Sequence, residues 1–167
     1  MKIGRVTVSD RATAGVYEDR SGPEIERILR GAFGVDAEFV AVMVPDEQDQ
    51  ISEQLRDLAD QRHCDLIVTT GGTGVGRRDV TPEATRAILE KELPGFGEVM
   101  RAQSFAKVRT AVLSRATAGT RGSTLILNLP GKPSAVAECL DILTPAILEG
   151  IAHLQGEDPH SNPVSPG

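Results

Sequence analysis

The sequence predicts a three-layer α/β/α domain built on a mostly parallel sheet, on three observations. Strand-like and helix-like patterns alternate three times within the first ninety residues; the turns that follow the strands are rich in glycine and aspartate; and 167 residues supply one sizeable core rather than two.

Residues 3–8 read as a first strand, and Ser9-Asp10-Arg11-Ala12-Thr13-Ala14-Gly15 has the small polar composition of a loop. Ser21-Gly22-Pro23-Glu24 places a capping hydroxyl three residues before an acid. Ile25, Ile28, Leu29 and Ala32 then recur at helical spacing up to Gly34. Residues 38–44 are strand-like, Pro45-Asp46 breaks them, and Ile51, Leu55, Leu58 and Ala59 mark one face of a second helix. Residues 66–69 form a third strand that ends in a glycine-rich loop, 71–76. Thr81-Pro82-Glu83 then supplies a cap, an N1 proline and an acidic first turn. Three such units predict right-handed crossovers and a sheet covered on both faces.

Residues 93–107 are partly helical with an interruption at Pro94-Gly95, and 110–113 and 124–129 are two more strand candidates. After Pro130-Gly131-Lys132-Pro133, a helical pattern runs through Val136, Leu140, Leu143, Ile147, Leu148 and Ile151. The domain is expected to span 1–155, and the polar, proline-rich stretch 156–167 to be a disordered tail. There is no internal repeat beyond the strand-helix alternation.

Composition narrows the function classes. Hydrophobic residues at 40% and charged residues at 25% exclude a wholly disordered chain. A net charge of -6, no Trp, one Tyr and four Phe argue against nucleic acid as a partner, since there is neither a basic surface nor a set of stacking platforms. The chain opens without a signal-peptide pattern and holds no membrane-length apolar run, so a cytoplasmic protein is expected. Cys64 and Cys139 lack the spacing of a zinc or disulfide framework and are expected as buried thiols. His63, His153 and His160 are read as ordinary structural or exposed histidines.

In an open parallel sheet, ligands bind beyond the carboxyl ends of the strands, which selects the loops 9–21, 45–47, 71–82 and 128–133. Thr70-Gly71-Gly72-Thr73-Gly74, followed by Arg77, Arg78 and Asp79, offers glycine-exposed amides beside a helix start, a cradle suited to phosphate. The simpler reading is a tight strand-to-helix turn. GxxxxGK[ST] is absent, and GxGxxG does not follow the first strand, so the two common nucleotide motifs fail. Arg77 and Arg78 either neutralise a polyphosphate or are solvated.

Asp10, Asp19, Asp46 and Asp79 all follow predicted strands and would crowd like charges beside a phosphate. A cation relieves that repulsion, and magnesium is held by one or two carboxylates plus water and substrate phosphates. Singly, Asp19 and Asp46 could cap helices and Asp79 could fasten the glycine loop. Asn128 could read a heterocycle edge or brace a loop.

As a set, Val8-Ser9-Asp10, Asp19-Arg20-Ser21-Gly22-Pro23, Pro45-Asp46-Glu47, Thr69-Thr70-Gly71-Gly72-Thr73-Gly74, Arg78-Asp79-Val80-Thr81-Pro82-Glu83 and Asn128-Leu129-Pro130-Gly131-Lys132-Pro133 resemble the molybdopterin adenylyltransferases, including the G domains of plant and animal cofactor-synthesis proteins. The likeness covers 3–154 and includes Pro94-Gly95-Phe96 and Leu113-Ser114-Arg115. It implies a molybdopterin-binding-like fold, usually a homotrimer, that binds ATP and molybdopterin side by side and, assisted by Mg2+, forms adenylyl-molybdopterin and pyrophosphate. Product hand-over to the metal-inserting protein of the pathway also follows from it. By the same resemblance Asp46 and Asp79 carry the catalytic and metal-organising role, joined by Asp19. Substrate binding falls to Ser9, Asp10, Ser21, Gly71, Gly72, Thr73, Gly74, Arg78, Thr81, Pro82, Glu83, Asn128, Pro130, Gly131 and Pro133. Rival readings are a binding-only paralogue or pterin carrier, a metal-inserting protein, and a generic nucleotide hydrolase.

Overall fold

The computed structural model describes residues 1–157, so the expected tail lies, but for its first two residues, outside the described residues, as does His160. Six strands form one sheet in the order β2-β1-β3-β6-β5-β4, comprising β1 (Lys2–Val8), β2 (Glu38–Val44), β3 (Leu66–Thr70), β4 (Lys91–Glu92), β5 (Ala118–Arg121) and β6 (Thr124–Leu129), and a one-turn helix, α1 (Asp10–Thr13), follows β1. The first four in that order are mutually parallel; β5 runs antiparallel to both of its neighbours. The sheet is therefore mostly parallel, as expected.

Strand parity assigns each side chain to a face. Ile3, Leu66, Val68, Leu125, Leu127 and Leu129 pack against Ile25 and Leu29 of α2 (Ser21–Phe33), Met100 of α5 (Pro94–Phe105), and Leu140 and Ile147 of α6 (Pro133–Leu154). Val6, Val8, Ile67 and Ile126 pack on the other face against Ile51 and Leu55 of α3 (Gln48–Arg56) and Ala84 of α4 (Thr81–Arg86). Each fully buried Leu or Ile contributes roughly 1.5–3 kcal/mol of transfer free energy, so these two aliphatic layers dominate the favourable side of folding. Leu58 and Ala59 stay inside because α3 continues as a wider π-type turn, Asp57–Gln61. The chain leaves β1 toward one edge through α2 and returns to β3 through α3 on the opposite face. A crevice consequently opens between the carboxyl ends of β1 and β3.

Local expectations fail where a residue does something other than its commonest job. Residues 110–113 are not a strand: Arg109–Leu113 is a 3-10 turn, with Val112 and Leu113 exposed. Pro94 does not interrupt a helix but begins α5, where its missing amide costs nothing. Ser21 is inside α2 rather than capping it; the Asp19 carboxylate accepts from the Gly22 amide instead. Thr81 likewise begins α4 and sends its hydroxyl back to the Gly71 carbonyl. Leu148 is 42% exposed, so the apolar stripe of α6 is narrower than its sequence pattern. Both cysteines are free and buried, as expected.

Candidate active site

The loops after β1, β2, β3 and β6 meet along one edge because those strands are consecutive neighbours. They enclose a cleft of about 250 Å³. Of the expected site residues, Ser9, Asp19, Ser21, Asp46, Gly71, Gly72, Asp79 and Gly131 line it. Thr70, the first residue of the expected glycine cradle, also lines it, as do Thr7 and Tyr17, which were not singled out from the sequence. The signal for Tyr17 was available: it is the one tyrosine of the chain and sits in a loop after a strand.

The glycine loop is shaped by close approach. Gly71 has φ +96°, and a Cβ there would lie 2.3 Å from the Val8 carbonyl oxygen. Gly72 has φ +64°, and a Cβ there would lie 2.3 Å from Thr81 Oγ1 and 3.1 Å from Asp46 Oδ1. Only glycine permits both the turn and the contact. The cradle is narrower than the sequence suggests: the Gly71 amide is bonded to Leu129 O, the Gly76 amide to Asp79 Oδ2 and the Thr81 amide to Gly72 O.

The four aspartates separate into different tasks. Asp46 Oδ2 accepts from the Asp10 amide at 2.9 Å, and Asp10 Oδ1 accepts from the Asp46 amide at 3.0 Å. Arg78 donates to both Asp10 oxygens, at 3.0 and 3.1 Å, and reaches Glu47 at 2.7 Å. The Arg78 hydrogen bond, reinforced by the Asp46 amide, holds the Asp10 carboxyl below its usual range. Burial, with the nearby charges of Asp10 and Asp79, pushes the Asp46 carboxyl up against the opposing backbone bond. Asp19 borders the cleft, yet its carboxylate accepts from Arg5 Nη1 at 2.9 Å, Thr7 Oγ1 at 2.7 Å and the Gly22 amide at 2.9 Å. Asp79 folds back on its loop, as one simple reading held.

Several expected contacts lie elsewhere. Asn128 is fully buried and alternates with Ile126, so it faces α4, donating to Thr69 Oγ1 and Thr85 Oγ1; it braces strand against helix and does not reach a heterocycle. Glu83 pairs with Arg115; burial works to raise its carboxyl, and the Arg115 hydrogen bond and charge outweigh it, leaving it below the usual range. Arg78 faces Asp10 and Glu47 rather than the cleft, and Thr73, Gly74, Thr81, Pro82, Pro130 and Pro133 are also absent from its wall. Pro130 instead joins Ser114, Arg101 and Lys132 around a second cavity of about 300 Å³, and Gly131 between them borders the first. The turn is fixed by Thr70 Oγ1 donating to Pro130 O and Ser21 Oγ donating to Gly131 O.

Among the described residues, no three His, Cys, Asp or Glu side chains form a cluster ready to hold a metal. Asp46 and Asp79 nevertheless suit magnesium, which needs only one or two carboxylates when a substrate brings phosphate oxygens. Burial first, and the charges of Asp10 and Asp79 after it, disfavour the ionised Asp46 carboxylate, a cost that a cation between Asp46 and Asp79 would offset.

Fold and site together define an α/β protein with a ligand cleft at the switch point of its sheet, lined by acidic and glycine-rich loops. The chain belongs to the molybdopterin-binding domain family: residues 4–149 match the family model described as "Probable molybdopterin binding domain". It is similar to the molybdopterin adenylyltransferase of Helicobacter pylori J99, at 51% identity over 145 residues, 87% of this chain and 82% of that one. The Escherichia coli K12 molybdopterin adenylyltransferase is 48% identical over 141 residues, covering 84% of this chain and 72% of that one. Among solved structures, the molybdopterin biosynthesis enzyme MoaB of Thermus thermophilus superimposes with a TM-score of 0.85 at 43% identity, covering 93% of this chain and 97% of that one. The tungsten cofactor synthesizing protein MoaB of Pyrococcus furiosus does so with a TM-score of 0.81 at 39% identity, covering 92% and 96%.

Proposed function

We propose that the protein is a molybdopterin adenylyltransferase that transfers AMP from ATP to molybdopterin, and that Asp46 and Asp79 organise the reaction. The observation that carries this reading is the pairing of two unneutralised carboxylates with a glycine turn in one cleft, in a chain about half identical to relatives bearing that name. The cleft alone is smaller than a nucleotide pocket of ordinary size. The cavity across the Pro130-Gly131-Lys132 turn doubles the available space, so two substrates can lie side by side with the turn between them.

The chemistry needs no nucleophilic side chain. A terminal phosphate oxygen of molybdopterin forms a bond to the α-phosphorus of ATP as the bond to the β-phosphate bridging oxygen breaks, and pyrophosphate departs with that electron pair. Magnesium, held by Asp46 and Asp79, supplies charge neutralisation when bound. The residues contribute position: the Asp10 clasp fixes Asp46, Gly71 and Gly72 admit close approach, and Ser21 and Thr70 hold the Gly131 turn. The same reading assigns the chain to the cytoplasm as a homotrimer that passes product to a metal-inserting protein; light scattering of the purified chain checks the trimer.

The test is incubation with molybdopterin, ATP and Mg2+, with single omissions, and detection of adenylyl-molybdopterin by mass. Product that needs all three supports the assignment. Bound but unmodified pterin makes the protein a carrier, and ATP loss without pterin makes it a hydrolase.

A further inference from the structure

We propose that Arg115 is a positioning residue for Asp79, holding the glycine-rich loop from outside the cleft so that the Asp79 carboxylate faces the cleft together with Asp46. The proposal rests on the adenylyl-transfer reading and deepens it. Arg115 follows the exposed 3-10 turn and does not line the cleft. Its Nε donates to Gly74 O at 2.7 Å, its Nη2 to Asp79 O at 2.6 Å, and its own amide to Thr73 O at 2.9 Å. Nη1 is anchored on the Glu83 carboxylate, which belongs to the first turn of α4. One side chain thus grips both arms of the loop and ties them to the helix that follows.

The arrangement has a chemical use. Two loop carbonyls, Gly74 O and Asp79 O, are directed at the Arg115 guanidinium and a third, Thr73 O, at the Arg115 amide, so that none of the three is left to repel anionic phosphates. Within the loop, Asp79 is closed on Gly76 in both directions, its amide to Gly76 O at 3.0 Å and its Oδ2 from the Gly76 amide at 2.7 Å. That small ring turns as a unit, and the Arg115 bond to Asp79 O sets its orientation. A lysine cannot reproduce the grip, since it lacks the planar fork that serves three acceptors at once.

The test compares wild type, Arg115→Ala and Arg115→Lys by amide hydrogen exchange of the substrate-free proteins and by steady-state kinetics. In Arg115→Ala the Gly76 and Asp79 amides exchange at least about tenfold faster while those of β1 and β3 keep wild-type protection. Its kcat falls about a hundredfold through misplacement, and KM for molybdopterin stays within about threefold. Arg115→Lys recovers part of both. Unchanged exchange at Gly76 and Asp79, unchanged kcat, or KM for both substrates rising with kcat constant overturns the proposal. If Arg115→Ala loses protection throughout, the same readouts on Arg115→Lys decide the matter. Wild-type protein that forms no adenylylated product overturns the adenylyl-transfer reading itself. The exchange data then still report whether Arg115 holds the loop, so the two failures are told apart.

Discussion

Asp10 and Asp46 each bind the other's backbone amide through a side-chain oxygen, so two carboxylates from neighbouring strands hold one another in place despite their like charge. The repulsion is relieved mainly on the Asp10 side. Arg78 covers Asp10 with two bonds, whereas Asp46 looks into the cleft toward Asp79. The pair therefore divides into a carboxylate braced by Arg78 and a partly buried one that faces the cleft.

This division predicts opposite effects on stability and activity. The Asp46 carboxyl is raised by burial and neighbouring charge, so it binds its proton more readily folded than unfolded. Its favourable contribution is complete below the unfolded value and is lost as pH rises through the folded one, leaving the ionised group destabilising at neutral pH. Asp46→Asn keeps an acceptor for the Asp10 amide. Without divalent cation at pH 7 it should be more stable by less than about 1 kcal/mol after solvent screening, while adenylyl transfer falls at least about a hundredfold. Thermal melts at pH 7 and near pH 3, where the advantage vanishes, check the sign; normal turnover would remove Asp46 from the mechanism.

Asp19 should behave in the opposite way. Its side chain is 9% exposed and that of its partner Arg5 is 15% exposed. Asp19→Ala leaves Thr7, the Gly22 amide and part of the Arg5 charge without their acceptor, and should cost on the order of 3 kcal/mol in urea unfolding. Activity should fall in step with the folded fraction. A stable but inactive Asp19→Ala protein would place the carboxylate among the reacting groups instead.

Two glycines with positive φ separate strain from collision. Gly15, at φ +72°, has nothing within 4 Å of an added Cβ, whereas Gly71 meets the Val8 carbonyl. Gly15→Ala should lose about 1 kcal/mol, and Gly71→Ala about 3 kcal/mol together with product formation, because β1 and β3 must part to admit the methyl group. Equal losses in a denaturant titration would contradict the close approach.

The thiols give a simple control on core integrity. Cys64 and Cys139 are 2% and 1% exposed, and burial pushes the Cys64 thiol up to about 11. At pH 8 a thiol reagent should label neither in the native chain and both in denaturant, and early labelling of Cys139 would report loosening of α6.

What sequence could reveal was governed by distance along the chain. The four ligand loops were legible because each directly follows a strand whose apolar run is local. The sheet rule then places them together without any knowledge of contacts. Side-chain roles depended on parity and on long-range partners. Asn128 looked like a rim residue from its proline-glycine neighbours, although its alternation with Ile126 already turned it inward. The Arg115 side chain acts on residues 32 to 41 positions away, and no local pattern announces that. β5 escaped notice because Ala118, Gly119, Thr120 and Arg121 hold no large apolar side chain, while 110–113 imitated a strand with Ala111, Val112 and Leu113.

The hydroxyl of Ser21 reaches the carbonyl of Gly131 across 110 residues of chain, and β6, which delivers Gly131, is inserted between β3 and β5. The wall of the cleft is therefore assembled from both ends of the chain: a fragment ending at β3 keeps Asp10, Asp19 and Asp46 but has neither Asp79 nor the Gly131 turn that Ser21 and Thr70 hold.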